Sequence, residues 1–431
     1  MRVLLTSIGS SGDINPFIAL ARELIARGHG ATLLTNPYFE PTIRAAGVGF
    51  EPLGEAMAPE QVARDMPLCF NRALGAWMLI RRWFAPQVPM FVERLGAVID
   101  ASAPDLLVGH QISFGLPWVA AARGVPWATC VLSPATMLSA ADPSLFPIGS
   151  DLTRAPMWYR RFAHAMARRS MSFMLDRPLN VHRRSLGLPP GYDTFWTEMF
   201  SGDATVGMWS PVLRGRAADD PENFAVCGFP WHDRSARYGL RGSALDERLE
   251  RFLDEGEPPV VFTLGSVLSH GGRREFEMAA EACRRVGCRG VLVTGSAEAA
   301  PAALPAGVLA VDYAPYGLLM GRGAATVHHG GVGTTAQALR AGRPMVITPF
   351  AHDQFDHAAR LSRAGVATWL PRRALSARSL AASVSAVLGS GAMRDAAARA
   401  GERVRAENGV GRAVDIFERI AAAGGRTRPS R

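Results

Sequence analysis

Residues 324–354 read AATVHHGGVGTTAQALRAGRPMVITPFAHDQ. The stretch opens on a short apolar run, passes through the small-residue turn GGVGTT, and takes up helical spacing at Ala336, Leu339 and Arg340 until Gly342 stops it. That order is strand, turn, helix. A turn this rich in glycine lets backbone N–H groups converge at a helix N-terminus, where unpaired amides and the helix dipole favour an anion such as a diphosphate. His329 enters the same turn as a further donor, charged or neutral. A second apolar run at residues 344–349 predicts another strand, and Asp353 and Gln354 follow it with an adjacent acceptor and amide. Ligands of open α/β sheets sit at such strand ends.

The order His329, Gly331, Gly333-Thr334, Pro349 and Asp353-Gln354 resembles the donor-binding signature of inverting, GT-B-fold glycosyltransferases of the UDP-glycosyltransferase superfamily. Within it, HHGGVGTTAQAL is most similar to the rhamnosyltransferase subunit of rhamnolipid synthesis and to bacterial sterol and antibiotic glycosyltransferases, and the resemblance covers nearly the whole sequence. A bare glycine turn would suit any phosphate loop; the histidine before it and the Asp-Gln after it make the pattern specific. The resemblance implies an α/β fold of GT-B architecture, two Rossmann-like doubly wound parallel-sheet domains facing a cleft. The expected divisions are an acceptor-binding domain at 1–215, a linker at 216–242, a nucleotide-sugar domain at 243–405, a terminal helix at 406–423 crossing back to the first domain, and a disordered tail at 424–431.

Composition agrees with two domains, since 431 residues exceed one ordinary core. With 48 % apolar and 20 % charged residues the chain is globular and not disordered. The net charge of +9 comes from 47 basic residues against 38 acidic ones, and every basic residue is arginine. A complete lack of lysine reflects codon or lineage bias, not a phosphate-binding specialisation. The basic balance still favours anionic partners, nucleotide diphosphates or acidic membrane surfaces. No aromatic-basic module or DNA-binding spacing accompanies it, so nucleic acid is not an expected partner. The five cysteines, Cys69, Cys130, Cys227, Cys283 and Cys288, are odd in number and scattered, and read as reduced structural thiols. MRVLLTSIG lacks the long apolar core and cleavage site of a signal peptide, and no apolar stretch reaches spanning length. The expected location is cytoplasmic, with any membrane contact peripheral.

In chain order, residues 3–6 read as a buried strand, followed by the turn at 9–13, a helix from about 16 to 27 and a second strand at 31–35, a βαβ unit. Asn36 ends that second strand where a dinucleotide fold would carry an acid for ribose, and the turn lacks a third glycine in register, which argues against NAD. Asp13 ahead of Pro16 has the position of a helix cap. GDINP also matches the segment in which many relatives carry a catalytic histidine and antibiotic glycosyltransferases carry aspartate, so the resemblance makes Asp13 the candidate base, with Gly12 beside the donor. His110, at the end of a strand at 106–109, reads as a structural histidine or as the partner of that base, standing where plant relatives have a supporting aspartate. Asp13 and His110 would be the same dyad with its members exchanged, the carboxylate oriented or charge-supported by the imidazole.

Residues 74–95, with Trp77, Phe84 and Phe91 and interrupted by Pro86 and Pro89, read as a pair of core-packed helices; in relatives the region walls the acceptor pocket. A strand at 127–132 ends at Ser133, on the same expected side. Residues 157–175 mix arginines with Trp158, Phe162, Met166 and Phe173, which suits either a helix lying on an anionic membrane or one packing its apolar stripe on the acceptor domain. The segment 214–242, dense in charge, proline and glycine, reads as the linker. Beyond it come strands at 260–264, where Ser266 follows with a hydroxyl for phosphate, at 291–294 and at 308–313. The resemblance gives Tyr313 and Ala314 to the nucleotide base, by stacking and by backbone, against the alternative of a core tyrosine. Gln337 stands where plant enzymes grip the ribose with glutamate, which leaves UDP and dTDP both open, dTDP slightly favoured. Helices close the chain at 374–388, 393–405 and 410–422.

The expected reaction moves a hexose or deoxyhexose from a dTDP- or UDP-sugar to a hydroxyl of a hydrophobic acceptor, with inversion. His329 and the amides of Gly331, Gly333 and Thr334 would take the diphosphate charge, Asp353 and Gln354 the sugar hydroxyls. No Asp-x-Asp cluster stands where a cation would bridge phosphates, so neither metal nor further cofactor is expected. An epimerase or hydrolase of the same architecture, and a catalytically silent partner protein, are the alternatives; intact His329 and Asp353-Gln354 speak against the second.

Overall fold

Short runs of valine, leucine and isoleucine that are buried on both faces suit parallel strands covered by helices. The computed structural model describes residues 1–58, 61, 71, 75–147, 151–231, 244–265 and 272–424. Among these, two sheets form, every pairing parallel. The first has seven strands, in the order β3 (Gly49–Pro52), β2 (Gly30–Thr35), β1 (Arg2–Thr6), β4 (Leu106–His110), β5 (Trp127–Val131), β6 (Ala204–Gly207) and β7 (Phe224–Val226). The second has six: β10 (Val308–Val311), β9 (Gly290–Val293), β8 (Val260–Thr263), β11 (Ala325–His328), β12 (Met345–Ile347) and β13 (Ala367–Trp369). The chain divides into two units, Met1–His232 with Asn408–Arg431, and Asp233–Glu407.

Alternation along the strands sorts the second unit's core. Val260 and Phe262 pack with Phe276, Leu380 and Val384 on one face, while Val261 packs with Leu249, Leu309 and Leu319 on the other. In the first unit Leu5, Phe17, Leu33, Val108, Cys130 and Val206 share one cluster with Val414 and Phe417 of the last helix, Gly409–Gly424. That helix lies along the first helix, Ser11–Ala26. Arg27 binds it to the unit through Asp415 at 2.6 Å and Glu418 at 3.2 Å. Its entry is tight: a Cβ on Gly409 would collide with the backbone of Gly228.

Several expectations change. The first helix begins at Ser11 and holds Pro16 in its interior, because Ser10 is the N-cap and Asp13, three residues into the helix, closes a capping box. β7 lies in the stretch read as linker. There the buried Arg214 is held by Asp220 at 2.6 Å and Asp142 at 3.2 Å, so these charges belong to the first unit and not to a solvated connection. Residues 232–243 are outside the described set, as are Cys69, Ser266 and 425–431. Gly75–Ser102 is one continuous helical run, not a pair of helices: a π turn at Leu79–Phe84, in which the Ala85 N–H reaches Ile80, shifts the register just before Pro86. β10 stops at Val311, leaving Tyr313 in the following loop, and the helix expected at 157–175 continues to Ser185. Among the described residues, no helix is long and apolar enough to cross a membrane.

Candidate functional site

In each sheet the winding direction reverses once, between β1 and β4 in the first and between β8 and β11 in the second. The loops leaving paired strands at a reversal diverge and open a crevice at their carboxyl ends. Asp13 and His110 stand at the first reversal, Gly265 and His329 at the second.

Asp13 serves its helix with one carboxylate oxygen and faces His110 with the other. Oδ2 accepts the Ser10 N–H at 2.8 Å and the Ser10 hydroxyl at 3.1 Å; Oδ1 lies 3.7 Å from His110 Nε2. Gly9, at φ +136°, makes room, since a Cβ there would run into the Asp13 carboxylate. His110 is buried edge-on to Phe17, and neither ring nitrogen has a hydrogen-bond partner among the described residues. Burial pushes its pKa down to about 3, which outweighs the nearby carboxylate. The contact is therefore between a carboxylate and a neutral imidazole. A neutral ring gives the expected dyad no charge support, and the hydrogen bonds that hold the carboxylate come from Ser10. The Gly12 N–H donates to the Ser10 hydroxyl at 3.3 Å, so this amide already has an acceptor.

In the second unit the helix Val332–Ala341 starts at Gly331 with no side-chain cap, and its first intrahelical bond runs from the Thr335 N–H to the Gly331 carbonyl. The amides of Val332, Gly333 and Thr334 precede that bond, and Gly333 is exposed with open space where a Cβ would be. Uncapped amides at a helix start suit an anion. The His329 ring lies against this start between two glycines: a Cβ on Gly265, at φ +74°, or on Gly331 would overlap the imidazole. His329 is half-buried with Nδ1 enclosed and unpartnered among the described residues. Burial lowers its pKa to about 4, the charge of Asp353 opposing and that of His357 adding to the shift.

Two histidines that the sequence reading passed over hold this turn. The Gly330 N–H donates to His328 Nδ1 at 3.1 Å, and the Gly330 carbonyl lies 2.7 Å from His357 Nδ1. A carbonyl only accepts, so His357 carries its hydrogen on Nδ1, and its Nε2 points toward Asp353 Oδ2 at 3.7 Å. The four-residue spacing of Asp353 and His357 is the signal that could have shown their pairing. Asp353 occupies the N-cap position of the helix Gln354–Arg363, yet its side chain makes no cap hydrogen bond. Gln354 differs. Its Oε1 accepts the N–H groups of Phe350 at 2.8 Å and Ala351 at 3.1 Å, which stabilises the turn containing the left-handed His352 and leaves only the amide nitrogen for a sugar.

The remaining candidates separate. Tyr313 is 47 % exposed, which removes the core-tyrosine alternative; Ala314 beside it is buried, and Gln337 is half-buried one turn along its helix. Trp77 and Phe84 are half-buried, whereas Phe91 is fully enclosed and belongs to the core instead of a pocket wall. Ser133 is also buried, and its carbonyl accepts the Thr136 hydroxyl at 2.7 Å.

Residues 3–121 match the glycosyltransferase family 28 N-terminal domain, and residues 290–412 match the C-terminal domain of the erythromycin biosynthesis protein CIII-like family. O-mycaminosyltylonolide 6-deoxyallosyltransferase of Streptomyces fradiae is 33 % identical over 98 % of both chains. A sterol 3-beta-glucosyltransferase of Arabidopsis thaliana is 25 % identical, covering 97 % of this chain and 68 % of its own. Among solved structures, the spinosyn rhamnosyltransferase SpnG complexed with thymidine diphosphate superposes with a TM-score of 0.68 at 19 % identity, over 97 % of this chain and 100 % of that one. Two parallel Rossmann-like sheets, the two matched family domains and 33 % identity to a sugar transferase over nearly its full length lead to one conclusion: the protein belongs to the GT-B-fold glycosyltransferases of the UDP-glycosyltransferase superfamily.

Proposed function

We propose that the protein transfers a hexose or deoxyhexose, such as rhamnose or glucose, from a dTDP- or UDP-sugar to a hydroxyl of a hydrophobic acceptor, a polyketide, sterol, carotenoid or lipid, inverting the anomeric centre. The uncapped start of Val332–Ala341, with His329 held against it by two glycines, carries the reading. Three amides without intrahelical acceptors and a neutral imidazole lie at one helix start, and a departing diphosphate brings the charge such donors match. These donors take that charge without a cation. Asp353, not engaged in capping its helix, accepts sugar hydroxyls, assisted by the amide of Gln354. Tyr313 offers an exposed ring to the base and Gln337 a polar group to the ribose.

In the first unit Asp13 Oδ1 removes the acceptor proton as the oxygen attacks, since the alcohol becomes acidic only in that transition state. The thymidine diphosphate bound by SpnG, and the sterol and O-mycaminosyltylonolide in the names of the two relatives, support a dTDP donor and a bulky lipophilic acceptor. The test is turnover of dTDP- and UDP-sugars with a panel of polyketide, sterol and hydroxyacyl acceptors, in EDTA and in magnesium. Inverted glycoside formed equally in both media is expected. Preference for small polar sugar acceptors would refute the acceptor class. His329→Ala should lower turnover by roughly a hundredfold or more with an unchanged melting temperature; near wild-type rates would remove it from the site.

A further inference from the structure

The helix Met157–Ser185 divides its arginines between two faces. On the inward side Arg160 donates to the Ala155 carbonyl at 2.8 Å, Arg168 pairs with Asp193, and Arg183 pairs with Glu198 while lying over the Trp118 ring. Leu175, Asp176 and Leu179 are buried on that side. On the outward side Trp158 is 70 % exposed, Phe162 55 %, Met166 45 % and Phe173 75 %. Spacings of four, four and seven residues align them in one stripe. Arg169 and Arg177 are exposed along the same stripe, Arg161 is exposed beside Trp158 in the first turns, and none of the three has an ion-pair partner among the described residues. The helix has one acid, Asp176, and it accepts the N–H groups of Asp193 at 2.7 Å and Thr194 at 3.1 Å in the interior. The outward face therefore carries no negative charge.

Packing of the apolar stripe on the acceptor unit, one of the two readings of this segment, is thus not what occurs: the largest side chains point to water. We infer that this face seats the protein on an anionic lipid bilayer, with Trp158, Phe162, Met166 and Phe173 in the headgroup layer and Arg161, Arg169 and Arg177 on lipid phosphates. The charges choose the occupant. A single convex helix about 43 Å long, aromatic and thioether in its centre and uniformly cationic, matches a soft planar anionic surface; a protein partner would need a long acidic trough. The inference does not depend on the donor site.

The test is co-sedimentation of the full chain with phosphatidylcholine vesicles, with and without about one-third phosphatidylglycerol. Binding to the anionic vesicles alone, weakened by salt, is expected. Replacing Arg161, Arg169 and Arg177 together by glutamine should weaken it by roughly a hundredfold, about fivefold for each arginine. The combination Trp158→Ser, Phe162→Ser and Phe173→Ser should abolish it while leaving the circular dichroism and melting temperature unchanged; should that variant misfold, the arginine variant, altered only at exposed charges, decides. No binding to anionic vesicles, or equal binding by wild type and arginine variant, overturns the inference. So does a wild-type dimer that the serine variant converts to monomer, because the face would then join two copies of this chain.

Discussion

Asp13 combines two roles that a single substitution can separate. Asparagine keeps an oxygen to accept the Ser10 N–H and hydroxyl, so Asp13→Asn should melt within a degree or so of wild type, yet turnover should fall by roughly a hundredfold with donor affinity unchanged. Persistent turnover would leave Asp13 as a cap alone. Asp353 and Gln354 should also part company. Asp353→Ala should weaken the intact donor and spare the free nucleoside diphosphate in calorimetry, whereas Gln354→Ala should also cost about 1–2 kcal/mol of folding stability, because Phe350 and Ala351 lose their buried acceptor. Both His329 and Asp353 were legible in the sequence as a residue type at a spacing. His328 and His357 were not, since their roles arise where β11 and the helix Gln354–Arg363 bring one imidazole to the N–H and the other to the carbonyl of Gly330. The capping box at Ser10 was readable from its Ser-x-x-Asp spacing, but Pro16 drew the expected helix start five residues too far along.

At the scale of elements, the strands the sequence announced, such as β1, β4, β8 and β9, are runs dominated by valine, leucine and phenylalanine. Those it concealed, β3, β6, β7 and β13, are three or four residues long and dilute their one or two large apolar residues with glycine, proline, threonine or alanine, so no apolar run shows. The helix Val332–Ala341 was visible because Gly331 and Gly342 bracket it. Its function depends on what its first residue lacks. Gly331→Ala places a methyl group inside the His329 ring position, so the imidazole must swing away while the helix, whose N-cap φ of −61° tolerates alanine, stays folded. Expected are a near-normal melting temperature and donor affinity reduced by about tenfold or more; tight donor binding in this variant would show that the ring and the turn work separately.

Over the whole molecule, buried neutral histidines set a limit on acid stability. His110 and His328 are both fully enclosed, and burial lowers each pKa to about 3, while His328 also needs its Nδ1 lone pair for the Gly330 N–H. The unfolded chain protonates them below about 6.5 and the folded chain does not until about 3. Stability is therefore full above pH 6.5 and falls as pH drops toward 3, with a slope of up to about 1.4 kcal/mol per pH unit for each histidine. Melting temperatures from pH 7 to pH 4 should decline accordingly, and His110→Gln should flatten the decline; a pH-independent melting temperature would mean that these rings are open to protons.

The last helix has a temporal meaning as well as a spatial one. Translation delivers Asn408–Gly424 only after every residue of the second unit has been made, yet Val414 and Phe417 fill the core of the first. The second unit is continuous and can close as it leaves the ribosome. The first must wait with its apolar seam uncovered until the last residues emerge, and a polypeptide released after residue 407 has every residue of the second unit but leaves the first open to chaperones and proteases.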